Sequence, residues 1–248
     1  MDLSLILPCY NEGPYLTENL HTIYRLLTSL NLSFEILLIE DKSTNDTLQR
    51  VREFAQERPH VHVTAHDVNR GRGYTVSEGI KKAMGTVVGF IDVDLEVDCH
   101  NILPFIFKIL EGYDVVNGCR IYEIRWWDPR WILSKGYFLI AKLLCHWHTP
   151  FHDTEAGFKF FNRETILPVI NEVEDHHWFW DTEVLIRAFY HGLKIEEVPI
   201  LFVRKNQAFS TLNSFSDTLY YFKKLLSFRK VIKHYEKNRA LLRKSQSS

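Results

Sequence analysis

The chain has 248 residues, 46% hydrophobic and 25% charged, which supplies a substantial core and excludes global disorder. Its formal net charge of -1 argues against a nucleic-acid binder. Cys9, Cys99, Cys119 and Cys145 lack metal-type spacing, so reduced thiols and a cytoplasmic location are expected.

Leu3 to Leu7 reads as a first buried strand ending at Pro8. Leu16, Leu20, Ile23, Tyr24 and Leu27 then recur at helical spacing. Glu35 to Ile39 is a second strand, and Ser43 or Thr44 is expected to cap a helix carrying Leu48, Val51 and Ala55. Val61 to Val63, a polar Gly-rich turn, a helix with Val76, Ile80 and Ala83, and the strand Val87 to Ile91 complete a βαβαβαβ series. Continuous apolar strands of this kind predict an α/β fold with a mostly parallel central sheet covered by helices. Further on, Ile102 to Leu110 and Asp181 to Tyr190 read as helices, and Asp114 to Asn117, Gly157 to Phe161 and Lys194 to Val203 as extended runs. Trp131 to Trp147 is apolar, but Lys135 and Lys142 make it a poor membrane span, and Asp2 and Ser4 ahead of Pro8 do not read as a signal peptide.

Ligands of parallel α/β sheets bind beyond the carboxyl ends of the strands. Pro8 to Glu12, Glu40-Asp41 and Asp92 to Glu96 all fall at such ends. In an extended segment Asp92, Asp94 and Glu96 project to one side, where they are expected to converge on a hard divalent cation; the alternative is a polar loop after a strand. Asn69-Arg70-Gly71-Arg72-Gly73 is either an anion-wrapping turn, with Arg72 as fixed positive charge, or an ordinary loop. The chain has neither a G-x-x-x-x-G-K-[ST] phosphate loop nor a strand-turn G-x-G-x-x-G.

In order, Pro8-Cys9-Tyr10-Asn11-Glu12, Glu40-Asp41-Lys42-Ser43-Thr44-Asn45-Asp46-Thr47, Asn69 to Gly73 with Gly79, and Asp92-Val93-Asp94 resemble the motifs of inverting family 2 glycosyltransferases. Gly118-Cys119-Arg120, Asp153 to Lys159, Asp181-Thr182-Glu183 and Glu197-Val198-Pro199-Ile200 continue the likeness, which covers about residues 3 to 226. The resemblance implies a GT-A fold, Rossmann-like, over residues 1–226, with a basic helical extension at 227–248. Gly118 to Arg120, Arg130 to Gly136 and Gly157 to Lys159 narrow it to the enzymes that load mannose or glucose onto a polyprenyl phosphate of dolichyl type. Two departures stand out: Glu40 replaces an aspartate, and Arg204 to Leu212 lacks a glycine and a lysine of the family pattern.

By that resemblance Pro8, Tyr10, Glu12, Asp41, Arg72, Asp92 and Val93 receive the nucleoside diphosphate sugar. Asp92, Asp94 and Glu96 hold Mg²⁺ or Mn²⁺, and Arg120, Arg130, Ser134, Lys159, Arg204 and Lys205 meet the acceptor. Asp94, Arg120 and Arg130 carry catalysis. A phosphate acceptor is already anionic, whereas a hydroxyl acceptor needs a base, for which Asp181 is the candidate; the alternative makes Asp181 a helix cap. His152-Asp153 is expected to line the acceptor side. From Leu219 onward a basic, partly apolar helix either lies on an anionic membrane or packs its apolar stripe. A nucleotidyltransferase and a non-catalytic nucleotide-sugar-binding protein are the competing classes. The sequence leaves open UDP against GDP, the sugar, and the oligomeric state.

Overall fold

The computed structural model describes residues 1–122, 151–203 and 214–246. Arg130, Ser134, Arg204 and Lys205 lie outside the described residues. In chain order the elements begin with β1 (Leu3–Cys9), α1 (Leu16–Ser29), β2 (Phe34–Glu40), α2 (Thr47–Ala55), β3 (Val61–Ala65), α3 (Arg72–Lys82) and β4 (Val87–Ile91). They continue with α4 (Ile102–Leu110), β5 (Val115–Tyr122), β6 (Phe158–Asn162), α5 (Arg163–Glu172), α6 (Trp180–Tyr190), β7 (Ile195–Phe202) and α7 (Ser214–Gln246).

The strands form one sheet in the order β3-β2-β1-β4-β6-β5-β7. β6 runs antiparallel to both neighbours, while the other pairings are parallel. The carboxyl ends of six strands therefore share one rim, and β6 begins at that same rim. This polarity brings Gly157 and Phe158 beside the end of β4, because Ile91 pairs with Phe158.

The strands are apolar on both faces because helices cover both. On one face Leu20 and Ile23 of α1, Val51 of α2 and Phe105 of α4 join Leu5, Leu7, Ile36 and Leu38 in the core. On the other, α3 presents Gly79 to Ile6 and Ile39, a close approach that a side chain would prevent. Trp180 of α6 meets Phe90 edge-on at 5.5 Å on that second face. The close aromatic contacts of β6, including Phe105 against Phe158 at 4.8 Å, tie its reversed strand into the core.

Several sequence expectations change. Helix α5 was not anticipated, because Pro168 interrupts the run; the side chain of Asn162 caps it, accepting from the Glu164 N–H at 3.0 Å. Ser43 and Thr44 do not cap α2, which starts only at Thr47. Ser43 Oγ instead accepts from the Asn11 N–H at 2.9 Å. Helix α7 is continuous across residue 226, so no break in the helix marks that boundary.

By contact density the chain divides into one unit of residues 1–123 and 152–209 and a second of 124–151 and 210–248. In the second, Tyr221, Leu225, Phe228 and Ile232 of α7 are buried at helical spacing, while Lys223, Arg229, Lys230 and Lys233 are exposed. No helix among the described residues is long and apolar enough to cross a membrane.

The packing of β6 gives a direct test. Phe160→Ala removes a ring that is 0% exposed, and is expected to cost about 3–5 kcal/mol in urea unfolding.

Candidate active site

The loops leaving β1, β2 and β4 each contain one non-glycine residue with left-handed backbone: Asn11 (φ 51), Lys42 (φ 62) and Leu95 (φ 54). Such backbone is costly for a leucine, and it persists only where surrounding contacts enforce it. Here they do. Asn11 Oδ1 accepts from the Thr44 N–H at 2.8 Å, and Thr47 Oγ1 accepts from the Glu12 N–H at 2.8 Å, locking the first two loops together. Asn19 Nδ2 donates to the carbonyls of Val93 and Asp94 at 3.0 and 3.1 Å, fixing the third.

That third loop is a turn rather than an extended segment. Val93 and Leu95 are still buried, and Asp92, Asp94 and Glu96 still face outward. Their donor atoms nevertheless do not gather within 4.8 Å of one another, as the extended reading expected. Asp92 Oδ1 instead accepts from Arg72, and Asp94 Oδ1 accepts from the Glu96 N–H at 3.0 Å. Among the described residues only Asp98, Cys99 and His100 gather three possible ligand atoms so closely. There the imidazole of His100 sits 2.7 Å from Asp98 within a single surface turn, and Cys99 is buried.

The carboxylates crowd each other all the same. Burial pushes Glu12 up to about 8, with Asp94 and Asp92 adding repulsion against the Tyr10 N–H that supports its charge. Asp94 is raised to about 6 by desolvation and by the neighbouring charges of Asp92 and Glu96. Oxygen-only donors whose negative charges destabilise one another suit a hard divalent cation, and Asp92, Asp94 and Glu96 with Glu12 behind them fit one.

Arg72 is the positive charge already present. It opens α3 directly after Gly71, whose φ of 94 turns the chain into the helix. Its Nη2 donates to Asp92 Oδ1 at 2.8 Å and its Nη1 to Asp181 Oδ2 at 2.6 Å, while its guanidinium lies 5.2 Å from the Phe90 ring centre. Burial opposes the charge, but Asp181 and Asp92 outweigh it and hold the guanidinium above its ordinary value.

Asp181 is 2% exposed, and its other oxygen accepts from Lys159 Nζ at 2.8 Å. It lies inside the first turn of α6 and does not cap the helix, which corrects the capping alternative. Lys159 is fully buried, its amine lowered by burial against the opposing pull of Asp181. It braces Asp181, and its placement does not fit the acceptor contact expected from sequence. The neighbours of Asp181 also tether the fold: the Thr182 and Thr154 hydroxyls pair at 2.8 Å, and Glu183 accepts from the Glu174 and Asp175 N–H groups at 3.1 and 2.9 Å.

Elsewhere on the rim Tyr10 is exposed, Pro8 is half-buried and the Val93 side chain is in the core. Asp41 is 3% exposed and accepts from the Arg70 and Gly71 N–H groups, both at 2.8 Å. His66, which sequence reasoning missed because no motif marks it, lies 2.6 Å from Asp41. On β5, Arg120 Nε and Nη2 donate to Asp153 at 2.6 and 2.9 Å. Burial works against the Asp153 charge, and Arg120 overcomes it to hold the carboxyl below the usual range. Glu197 accepts from the His152 and Asp153 N–H groups at 2.9 and 3.2 Å, and so fixes this loop. Only its place in a Glu-Val-Pro motif signalled it.

The sequence profile described as Glycosyl transferase family 2 matches residues 4–167. The chain belongs to this family. It is 29% identical over 206 residues to the glycosyltransferase AglD of Haloferax volcanii, covering 81% of this chain and 33% of that protein. It is 29% identical over 211 residues to a dolichyl-phosphate beta-glucosyltransferase of Trichomonas vaginalis, covering 80% and 64%. A dolichol-phosphate mannosyltransferase of Pyrococcus furiosus is 29% identical over 206 residues, covering 82% and 56%. The chain thus spans a third to under two thirds of the length of these relatives. The fold is that of GT-A glycosyltransferases: glucosyl-3-phosphoglycerate synthase of Mycobacterium tuberculosis, solved with UDP, superimposes with a TM-score of 0.69 at 18% identity, covering 92% of this chain and 80% of that one.

Two outcomes follow from this geometry. A side chain at Gly157 would collide with the Asp92 carboxylate, so Gly157→Ala is expected to weaken metal-dependent nucleotide binding about 10–100-fold in calorimetry while the far-ultraviolet spectrum is retained. The second concerns pH. Glu12 in the folded chain keeps its proton up to about 8, whereas the unfolded chain loses it near 4.5. Without added metal, stability should therefore fall as pH rises between these values, with Asp94 contributing from 3.8 to about 6. Melting curves of wild type and Glu12→Gln check this, the variant giving the shallower decline.

Proposed function

We propose that this chain transfers a hexosyl group from a nucleoside diphosphate sugar to a polyprenyl phosphate, with inversion at the anomeric carbon. The observation that carries the reading is the crowd of Glu12, Asp92, Asp94 and Glu96 beside the largely buried guanidinium of Arg72. The names of the Trichomonas and Pyrococcus relatives, which act on dolichyl phosphate, support the acceptor class. A divalent cation, Mg²⁺ or Mn²⁺, would be held by Asp92 and Asp94 with Glu96, and when bound it would supply Lewis-acid stabilisation of the leaving diphosphate.

The chain's own residues do the rest. Arg72 neutralises Asp92 and holds it at the rim, so the carboxylate is aligned before any ligand arrives. Asp41, at the end of β2, would meet the nucleoside side through the loop it organises. Tyr10, exposed at the end of β1, would contribute from the adjacent loop.

Arg120, aligned by Asp153, would receive the acceptor phosphate, which competes with that carboxylate for the guanidinium. Arg130, Ser134, Arg204 and Lys205 are the further acceptor candidates. A phosphate oxygen is anionic near neutral pH and needs no protein base, so alignment and charge stabilisation suffice. This fits the placement of Asp181. Both of its oxygens accept from cations, which favours a bracing role over base catalysis on a hydroxyl acceptor.

Peripheral contact with an anionic membrane, through the exposed lysines and arginines of α7, would place the chain at the surface where a lipid phosphate is found.

The test is to incubate the protein with Mg²⁺ or Mn²⁺, labelled UDP- and GDP-hexoses and a short polyprenyl phosphate, and to measure label in the lipid phase. Metal-dependent transfer from one donor is expected, abolished in both Asp94→Ala and Arg120→Ala, with only Asp94→Ala losing metal-dependent donor binding. Donor hydrolysis without lipid product, or wild-type turnover in both variants, contradicts the reading.

A further inference from the structure

His66 follows β3 and lies between two carboxylates from different elements. Its Nδ1 is 2.6 Å from Asp41 Oδ1 at the end of β2, and its Nε2 is 2.5 Å from Glu78 Oε2 on α3. The side chain is only 5% exposed, so water does not substitute for these partners. Ionised carboxylates accept and do not donate, and two of them require two N–H donors, which only the imidazolium form provides. The remaining groups around the ring complete the environment. Lys82 on α3 pairs with the other oxygen of Glu78 at 2.9 Å, the ring of Tyr74 meets the imidazole edge-on at 5.6 Å, and the His66 N–H donates to the Glu40 carbonyl at 2.9 Å. The guanidinium of Arg70 lies over the ring of Tyr74, 4.9 Å from its centre.

What Asp41 does next gives the arrangement its reach. With Oδ1 facing both His66 and the Arg70 N–H, and Oδ2 on the Gly71 N–H, it holds the backbone of the turn that launches α3. The next residue is Arg72, which holds Asp92. A continuous path of charge-assisted hydrogen bonds thus runs from Glu78 through His66 and Asp41 to the start of the arginine-bearing helix.

We propose that His66 is a positioning residue, a protonated clamp between Asp41 and Glu78 that sets the Gly-rich turn and makes nucleotide-donor binding sensitive to pH. The donor arm of this proposal rests on the reading of the rim given under Proposed function; the clamp itself does not. Burial disfavours the charged ring, but Asp41 and Glu78 outweigh it and raise its affinity for the proton above the ordinary value of 6.5. The sign follows. The clamp's contribution is complete below about 6.5 and is lost as pH rises through the higher folded value. Above that, two carboxylates face a ring with one N–H, and the turn loses a tether.

The experiment has two arms on the full chain. In the first, the His66 ring is titrated by nitrogen-15 NMR in wild type, Glu78→Gln and Asp41→Asn. A titration midpoint above 6.5 in wild type, lowered in both variants, is expected; a midpoint at or below 6.5 overturns the clamp. In the second, Mn²⁺ with UDP or GDP is titrated calorimetrically from pH 6 to 9 into wild type and His66→Asn. The ratio of wild-type to His66→Asn affinity should fall about tenfold as His66 deprotonates, the scale of one charge-assisted hydrogen bond, the proton release at Glu12 being common to both proteins. Parallel pH profiles in the two proteins overturn the positioning role. If neither nucleotide binds wild type at any pH, the donor reading and with it the donor arm fail, and the ring titration still decides the clamp.

Discussion

Arg72 is the charge on which the rim is built. A largely buried guanidinium must be matched by anions, and Asp92 and Asp181 match it through different nitrogens. Asp181 is in turn backed by Lys159, a lysine with no exposed surface on the one reversed strand of the sheet. The sheet polarity is thus part of the electrostatics. β6 running against its neighbours puts Lys159 beside Phe90, whose ring centre is 5.7 Å from the Lys159 amine. It also puts Gly157 against Asp92, where no side chain is tolerated. The buried Lys159 and Asp181, with the largely buried Arg72, hold the Asp92 carboxylate in a fixed place.

The negative side of the ledger is unbalanced by design of the loops. Glu12, Asp92, Asp94 and Glu96 project from two loops whose backbones are held in left-handed turns at Asn11 and Leu95. Arg72 satisfies Asp92, while Glu12 and Asp94 are left raised by burial and mutual repulsion. Adding positive charge there relieves repulsion that the fold maintains, which gives a cation and the diphosphate it carries a reason to bind at this rim. At the proposed acceptor position Arg120 is prepared differently, as a guanidinium held by Asp153 through a loop that Glu197 fixes.

The sequence made the scaffold legible because its signals are periodic: the apolar strands of Leu3 to Leu7, Glu35 to Ile39 and Val87 to Ile91, and the carboxylates at their ends, need no tertiary information. The direction of β6 and the helix that carries Pro168 depend on packing and were not readable from a short apolar run. The rim positions of Asp41 and Asp92 followed from strand ends, but their partners did not. Its place in a Gly-Phe-Lys motif assigns Lys159 to the acceptor; lysines are seldom fully buried, and only the facing Asp181 explains why this one is. His66 had no motif to announce it, since the two carboxylates that define it come from residues 25 and 12 positions away. Asp92, Asp94 and Glu96 were read as an extended ladder, and the left-handed Leu95 makes them a turn.

The central claim is that the crowded carboxylates form a site for a divalent cation with its nucleotide. It is tested most directly by calorimetric titration of Mn²⁺ with UDP or GDP at pH 7 in buffers of different ionisation enthalpy, which counts protons released on binding. With Glu12 protonated up to about 8, the account predicts release approaching one proton per ion, largely lost in Glu12→Gln. Binding of the cation with no proton release, or with the same release in Glu12→Gln, would contradict it.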